Sequence, residues 1–102
     1  MHHDADSQRF SAALARVARH SNTAVLCALA DGPRRQGELL EQLGTLSEST
    51  LGASLRELDH DRLVARRVDP GPPLRVLYEL TPLGAALATS LRGLREWSVR
   101  QA

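Results

Sequence analysis

The stretch from residue 46 to residue 81 constrains the fold of this 102-residue chain more than any other. Apolar residues recur in it at the spacing of one face of an α-helix, at Leu51, Leu55 and Leu58. Ser47 precedes them where an N-cap belongs, because its hydroxyl can accept a hydrogen bond from a free N–H of the first turn. The pattern therefore predicts a helix over about residues 48–60 that buries its leucine face.

Two segments rich in branched and aromatic residues follow this helix, at residues 63–68 and 74–80. Such segments are typical of β-strands. Residues 69–73 between them contain three prolines and a glycine and cannot continue a ladder, because proline lacks the N–H. We therefore expect a β-hairpin directly after the helix. Alternation along its first strand turns Arg66 and Arg67 to opposite faces.

Three more helices are expected before this stretch. Apolar spacing places them over about residues 8–19, 23–30 and 36–43. Ser21 and Asn22 are expected to cap the second helix, which Gly32 and Pro33 end. Gly44 closes the third helix and begins a short turn into the helix that carries the leucine face.

The two ends of the chain differ in character. A last helix is expected over about residues 82–100, because Thr81 suits an N-cap and Pro82 suits the first helical position. Residues 1–7 are polar and are expected to form a flexible tail. The remaining residues, 8–102, are expected to form one domain that is mainly α with a small β-hairpin.

The composition of the chain restricts both its possible functions and its cellular location. The net charge is only +1, so affinity for nucleic acid would require an uneven distribution of charge. The single cysteine excludes an internal disulfide, and no apolar run approaches the roughly 18 residues of a membrane span. The first ten residues lack the basic and apolar regions of a signal peptide. We expect a cytoplasmic protein without a membrane partner.

Short motifs occur in a fixed order along most of the chain. They are Gly32-Pro33-Arg34-Arg35, Glu38-Leu39, Leu46-Ser47, Leu55-Arg56-Glu57-Leu58, Leu63-Val64 and Tyr78-Glu79-Leu80-Thr81-Pro82-Leu83-Gly84. In this order and spacing the chain resembles the HxlR-type transcriptional regulators, which are small winged helix-turn-helix proteins related to the MarR group. The resemblance covers about residues 14–97. It implies about five helices plus a wing, and a homodimeric DNA-binding regulator that is not an enzyme.

The resemblance implies that the helix at 48–60 enters the major groove of double-stranded DNA and that the wing, at about 63–80, lies beside it. The expected DNA-binding residues are Arg34, Arg35, Ser47, Ser49, Thr50, Ala53, Ser54, Arg56, Arg66, Arg67 and Arg75. Relatives often carry Arg or Lys where Ser49 and Ser54 stand, and serine reads bases ambiguously. Either DNA shape selects the operator, or DNA binding has weakened. For the wing arginines, the alternative is cross-strand pairing with Asp69 or Glu79.

The first and last helices share a long apolar stripe. It consists of Phe10, Leu14, Val17, Leu83, Leu87, Leu91, Leu94 and Trp97. A domain of this size can hardly cover such a stripe, so we expect a two-fold homodimer through these terminal helices. In such a dimer the two copies of the helix at 48–60 would lie about one DNA turn apart and would bind a pseudo-palindromic operator. The alternative is a stripe that packs on helices of its own chain.

Few residues are candidates for a sensor site or a catalytic site. Cys27 is the one thiol, and it is either a sensor or an inert apolar side chain. No cysteine precedes the second helix, so the thiol sensing of the family cannot be transferred. The four histidines have no metal-ligand spacing, and no catalytic motif occurs, so we expect no enzyme, metal or cofactor. A second hypothesis is a winged-helix module with weakened DNA binding that senses a small apolar effector or binds a protein.

Overall fold

The computed structural model describes residues 2–101, which form five α-helices and one two-stranded antiparallel sheet. The elements are α1 (His2–Val17), α2 (His20–Leu29), α3 (Gln36–Gln42), α4 (Glu48–His60), β1 (Val64–Asp69), β2 (Arg75–Leu80) and α5 (Pro82–Arg100). The predicted set of five helices and a hairpin is confirmed. None of the helices in this described part of the chain is long and apolar enough to cross a bilayer.

The core is built around α2, which contacts every other helix and β2. The buried side chains are almost all aliphatic, as the scarcity of aromatic residues requires. They are Val25, Leu26, Ala28 and Leu29 of α2, Leu39 of α3, Leu51, Leu55 and Leu58 of α4, and Leu63 and Val64 at the start of the hairpin. Burial of this aliphatic set is the main source of stability, at about 25 cal/mol for each Å² of apolar surface removed from water.

Helices α4 and α5 begin where the capping residues in the sequence predict. The Ser47 hydroxyl accepts a hydrogen bond from the Thr50 N–H at 3.1 Å, as expected of the N-cap of α4. The Thr81 hydroxyl accepts one from the Gly84 N–H at 3.0 Å and donates one to the Arg62 carbonyl at 2.7 Å. The last of these bonds fixes the start of α5 against the loop between α4 and β1.

The hairpin is held to the rest of the domain at its base. Val64 pairs with Leu80 there, and Asp69 pairs with Arg75 near the tip. Arg34 forms an isolated bridge to Tyr78, with backbone N–O distances of 2.9 and 2.8 Å. The segment before α3 therefore extends the sheet by one residue pair, and the outer half of the hairpin projects beyond the core.

Two helix starts differ from the prediction. Helix α1 begins at His2, about two turns before the expected start, and Asp4 in its first turn favours this because a carboxylate stabilises a helix N-terminus. Flexibility of residues 1–7 stays a prediction, and Met1 lies outside the described residues. Helix α2 begins at His20, so Ser21 and Asn22 do not cap it. The N-cap is Arg19, which makes no side-chain capping bond.

Candidate nucleic-acid interface

The face of α4 that is turned to solvent carries small side chains. Ser49, Thr50, Ala53 and Arg56 are all exposed, as predicted. The Arg56 guanidinium has no carboxylate within 4.0 Å among residues 2–101. Ser47 is exposed as well, but its hydroxyl is engaged in the cap and also donates to the Thr50 hydroxyl at 3.0 Å. This face therefore offers one cation and several weak hydrogen-bonding groups.

Ser54 does not belong to this exposed face. It lies three residues after Leu51 and four before Leu58, and it is only 5% exposed. Its side chain lines a crevice of about 230 Å³ between α4 and the start of α2. The expectation that Ser54 reaches base edges is therefore wrong, because the spacing that buries the leucines also turns Ser54 inward.

The wing arginines have different surroundings. Arg67 pairs with two carboxylates of its own hairpin, Asp69 at 3.3 Å and Glu79 at 3.1 Å. Arg66 and Arg75 are exposed, and no carboxylate of the described residues lies within 4.0 Å of either guanidinium. The alternative of cross-strand pairing thus applies to Arg67, whereas Arg66 and Arg75 keep their charge available for a ligand.

The arginines before α3 are partly engaged as well. Arg34 is half-buried, and its guanidinium donates to the Pro33 carbonyl at 2.9 Å. Arg35 is exposed and lies 3.6 Å from the Glu38 carboxylate. The Arg35 backbone N–H donates to this carboxylate at 2.8 Å, and that bond, together with the charges of Arg35 and Arg34, holds the pKa of Glu38 below its ordinary value. Glu38 is therefore ionised at neutral pH and offsets part of the positive charge here.

A polar cluster links the junction of α1 and α2 to α4. Asn22 is 2% exposed, and its amide donates to the Arg16 carbonyl and to Glu57, both at 2.8 Å. The guanidinium of Arg19 also binds Glu57, and Arg16 binds Asp61 at 3.1 Å. These contacts position α4, and sequence reasoning did not find them because the residues that pair across the cluster are 35 to 45 positions apart.

The apolar stripe of the terminal helices divides into two parts. Val17, Leu87 and Leu91 pack against the core of their own chain. The other members are each more than half exposed, namely Phe10, Leu14, Leu83, Leu94 and Trp97. An open groove of about 650 Å³ runs between α1 and α5 beside them. The alternative of a stripe covered by its own chain therefore holds for three residues and is wrong for five.

Cys27 is half-buried rather than enclosed in the core. It lines a second groove, of about 630 Å³, between α1, α2 and α5. Leu14, Val17, Leu91 and Leu94 form much of its apolar wall. The thiol thus borders a space that is open to solvent in the single chain.

Comparison with known proteins agrees with this geometry. The model of the family described as HxlR-like helix-turn-helix matches residues 17–102. The chain is 30% identical over 90 residues to the HTH-type transcriptional regulator YodB of Bacillus subtilis, a match that covers 88% of this chain and 80% of YodB. It is 41% identical over 70 residues to the HTH-type transcriptional regulator BH0655 of Halalkalibacterium halodurans, over 69% of this chain and 62% of that protein.

Solved structures give the same result for the fold. A transcriptional regulator of the MarR family from Enterococcus faecalis superposes with a TM-score of 0.81 and 32% identity, over 92% of this chain and 86% of that one. The quinone-bound form of YodB superposes with a TM-score of 0.78 and 27% identity, over 91% and 98% of the two chains. The winged-helix fold is therefore confirmed, and the proteins that resemble this chain are regulators rather than enzymes.

Proposed function

The chain belongs to the HxlR-like helix-turn-helix family of transcriptional regulators, and from this premise we propose that it binds double-stranded DNA as a homodimer. One observation carries the proposal. The exposed face of α4 lies beside a wing on which Arg66 and Arg75 have no ion-pair partner in the described chain. Free guanidinium groups next to an exposed helix of this length provide phosphate contacts on both sides of a major groove.

In the proposed complex the N-terminal half of α4 enters the major groove. Ser49 and Thr50 contact base edges through their hydroxyls, and Ala53 contacts thymine methyl groups. Arg56 binds a phosphate or a guanine edge. Because Ser49, Thr50 and Ala53 discriminate weakly between bases, direct readout is weak, and the shape of the DNA contributes much of the specificity.

The proposed dimer buries the exposed part of the apolar stripe. Helix α1 contacts mainly α2 within its own chain, and the side chains of residues 4–12 are all exposed. A helix with so little tertiary packing is marginal in water, so a second copy is needed to stabilise it. A two-fold axis through α1 and α5 would then set the two α4 helices about one turn of DNA apart.

The direct test is fluorescence anisotropy with labelled duplexes from the region upstream of the gene for this protein. We expect tight binding at low salt, a steep loss of affinity as salt rises, and weaker binding to a shuffled duplex. Footprinting should reveal two protected half-sites about 10 base pairs apart. Absence of binding to both duplexes at low salt would reject the proposal.

A second candidate function is favoured by the groove that contains Cys27. We propose that an apolar effector binds between α1, α2 and α5, where Leu14 and Leu91 would contact it. A rise in melting temperature with a small aromatic quinone, lost in Leu91→Arg, would support this function. If that rise occurs in a protein that binds no DNA, the chain is a sensing module rather than a DNA-binding regulator.

A further inference from the structure

The tip of the wing carries an apolar side chain that the core does not use. Leu74 is 68% exposed and stands between Pro73 and Arg75. Single exposed leucines are ordinary on protein surfaces and need no explanation. The surroundings of this one set it apart, because it ends the loop at the tip of the hairpin and is followed by Arg75, whose guanidinium has no carboxylate within 4.0 Å among the described residues.

We propose that Leu74 is a wedge that enters the minor groove and partly unstacks a base step at the outer edge of each half-site. Leu74 would then help to determine specificity, since base steps differ in how easily they unstack. The inference rests on the proposed DNA binding, and it adds to that proposal the kind of DNA sequence that the wing selects.

Charge at the tip fits the minor groove. Between Arg66 and Arg75 the sequence contains one carboxylate, Asp69, and the Arg67 guanidinium lies 3.3 Å from it. Arg75 follows Leu74 directly, and its cross-strand partner Asp69 is the carboxylate that Arg67 binds. Arg66 lies opposite Tyr78, three residue pairs further from the tip. Arginine is attracted to the negative potential of the minor groove, so Arg75 would hold the tip against the phosphates and Arg66 would contact them further along the wing.

The tip is also stiff. Pro70, Pro72 and Pro73 each fix one backbone angle. Gly71 allows the chain to fold back so tightly that a Cβ at this residue would lie 1.9 Å from the Pro73 carbonyl carbon. A preorganised tip loses little conformational entropy when it binds, and a wedge must resist the pressure of the stacked bases.

The wedge would matter for specificity because α4 discriminates weakly between base pairs. Ser49, Thr50 and Ala53 discriminate poorly between bases, so an operator chosen by α4 alone would be recognised loosely. Apolar side chains such as leucine and proline are the usual wedges in proteins that kink DNA through the minor groove. Pyrimidine–purine steps unstack most easily, and we expect TA or CA at the position that Leu74 contacts.

The test compares Leu74→Ala with Val99→Ala, which removes an equally exposed apolar side chain from α5. The duplex is the upstream region, with 2-aminopurine placed in turn at each step beyond the half-sites. With the native protein we expect the fluorescence of one position in each half-site to rise on binding. Leu74→Ala should abolish the rise, lower the affinity about tenfold and leave the salt dependence unchanged, since the contact is apolar. Val99→Ala should match the native protein.

A second duplex carries AA instead of TA at that step. The native protein should bind the TA duplex more tightly, and Leu74→Ala should bind both equally. If Leu74→Ala keeps the native affinity and fluorescence, the wedge is rejected while DNA binding stands. If Leu74→Ala changes only the sedimentation coefficient of the free protein, the tip contacts a second copy and the wedge is again rejected. If the native protein binds no duplex at low salt, both proposals are rejected.

Discussion

Nη1 of Arg19 lies 2.8 Å from Oε2 and 3.0 Å from Oε1 of Glu57, which joins the junction of α1 and α2 to the second half of α4. Asn22 donates to the same carboxylate from inside α2. Helix α4 is thus fixed on one side by buried leucines and on another by a polar clamp. The orientation of α4 relative to the terminal helices depends on both.

The clamp predicts unequal effects for its two donors. Asn22→Ala leaves the Arg16 carbonyl and Glu57 without a buried donor and should lower the free energy of unfolding by about 1–3 kcal/mol. Arg19→Ala should cost less than about 1 kcal/mol, because the guanidinium is more than half exposed and its ion pair is screened by water. Urea denaturation measures both, with Ser21→Ala as the control. Equal losses for the two variants would contradict a buried role for Asn22.

Two glycines of α5 should respond to alanine in opposite directions. A Cβ on Gly84 would lie 1.9 Å from the carbonyl oxygen of Leu63, so Gly84→Ala must move α5 away from the hairpin and should cost about 3 kcal/mol or more. A Cβ on Gly93 would meet nothing within 4 Å, and Gly93→Ala should stabilise by about 0.5–1 kcal/mol through the higher helix propensity of alanine. Thermal denaturation followed by circular dichroism distinguishes the two. Similar shifts for both would mean that α5 does not approach Leu63 this closely.

The proposed dimer predicts a charge-sensitive face on α5. Leu94→Glu places a carboxylate among exposed apolar side chains that a second copy would cover, so the variant should sediment as a monomer. Its DNA affinity should fall by about two orders of magnitude, because each monomer then holds one half-site. Val99→Glu provides the control, since Val99 is as exposed but lies off the stripe. A native protein that already sediments as a monomer would exclude the dimer.

Glu38 supplies a prediction about pH. Its pKa is lowered mainly by the hydrogen bond from the Arg35 backbone N–H, and less by the guanidinium charges. A lowered pKa in the folded state stabilises the protein above the ordinary value of 4.5, and this contribution disappears as the pH falls through the folded-state pKa. NMR titration of the Glu38 carboxyl should give a midpoint below 4.5, and Arg35→Ala should keep most of the shift. A full return to the ordinary value in Arg35→Ala would assign the shift to the charges instead.

Sequence reasoning succeeded where the signal is local. Ser47 and Thr81 predict the starts of α4 and α5, because the hydroxyl of an N-cap accepts a hydrogen bond from an N–H only three residues later. It was wrong about Ser54, although the leucine spacing already contained the answer. It had no access to the Asn22 clamp, since the angle between α2 and α4 decides which side chains meet.

The three arginines of the wing are predicted to differ in their contacts with DNA phosphates. Arg66 and Arg75 have no carboxylate within 4.0 Å in residues 2–101, whereas Arg67 lies within 3.3 Å of both Asp69 and Glu79. Arg66→Ala and Arg75→Ala should each reduce the slope of log affinity against log salt by about 1, because each removes one phosphate contact. Arg67→Ala should leave the slope nearly unchanged and lower the affinity at every salt concentration, because it frees two carboxylates beside the phosphates. Equal slope changes for all three variants would mean that Arg67 exchanges its intramolecular partners for DNA.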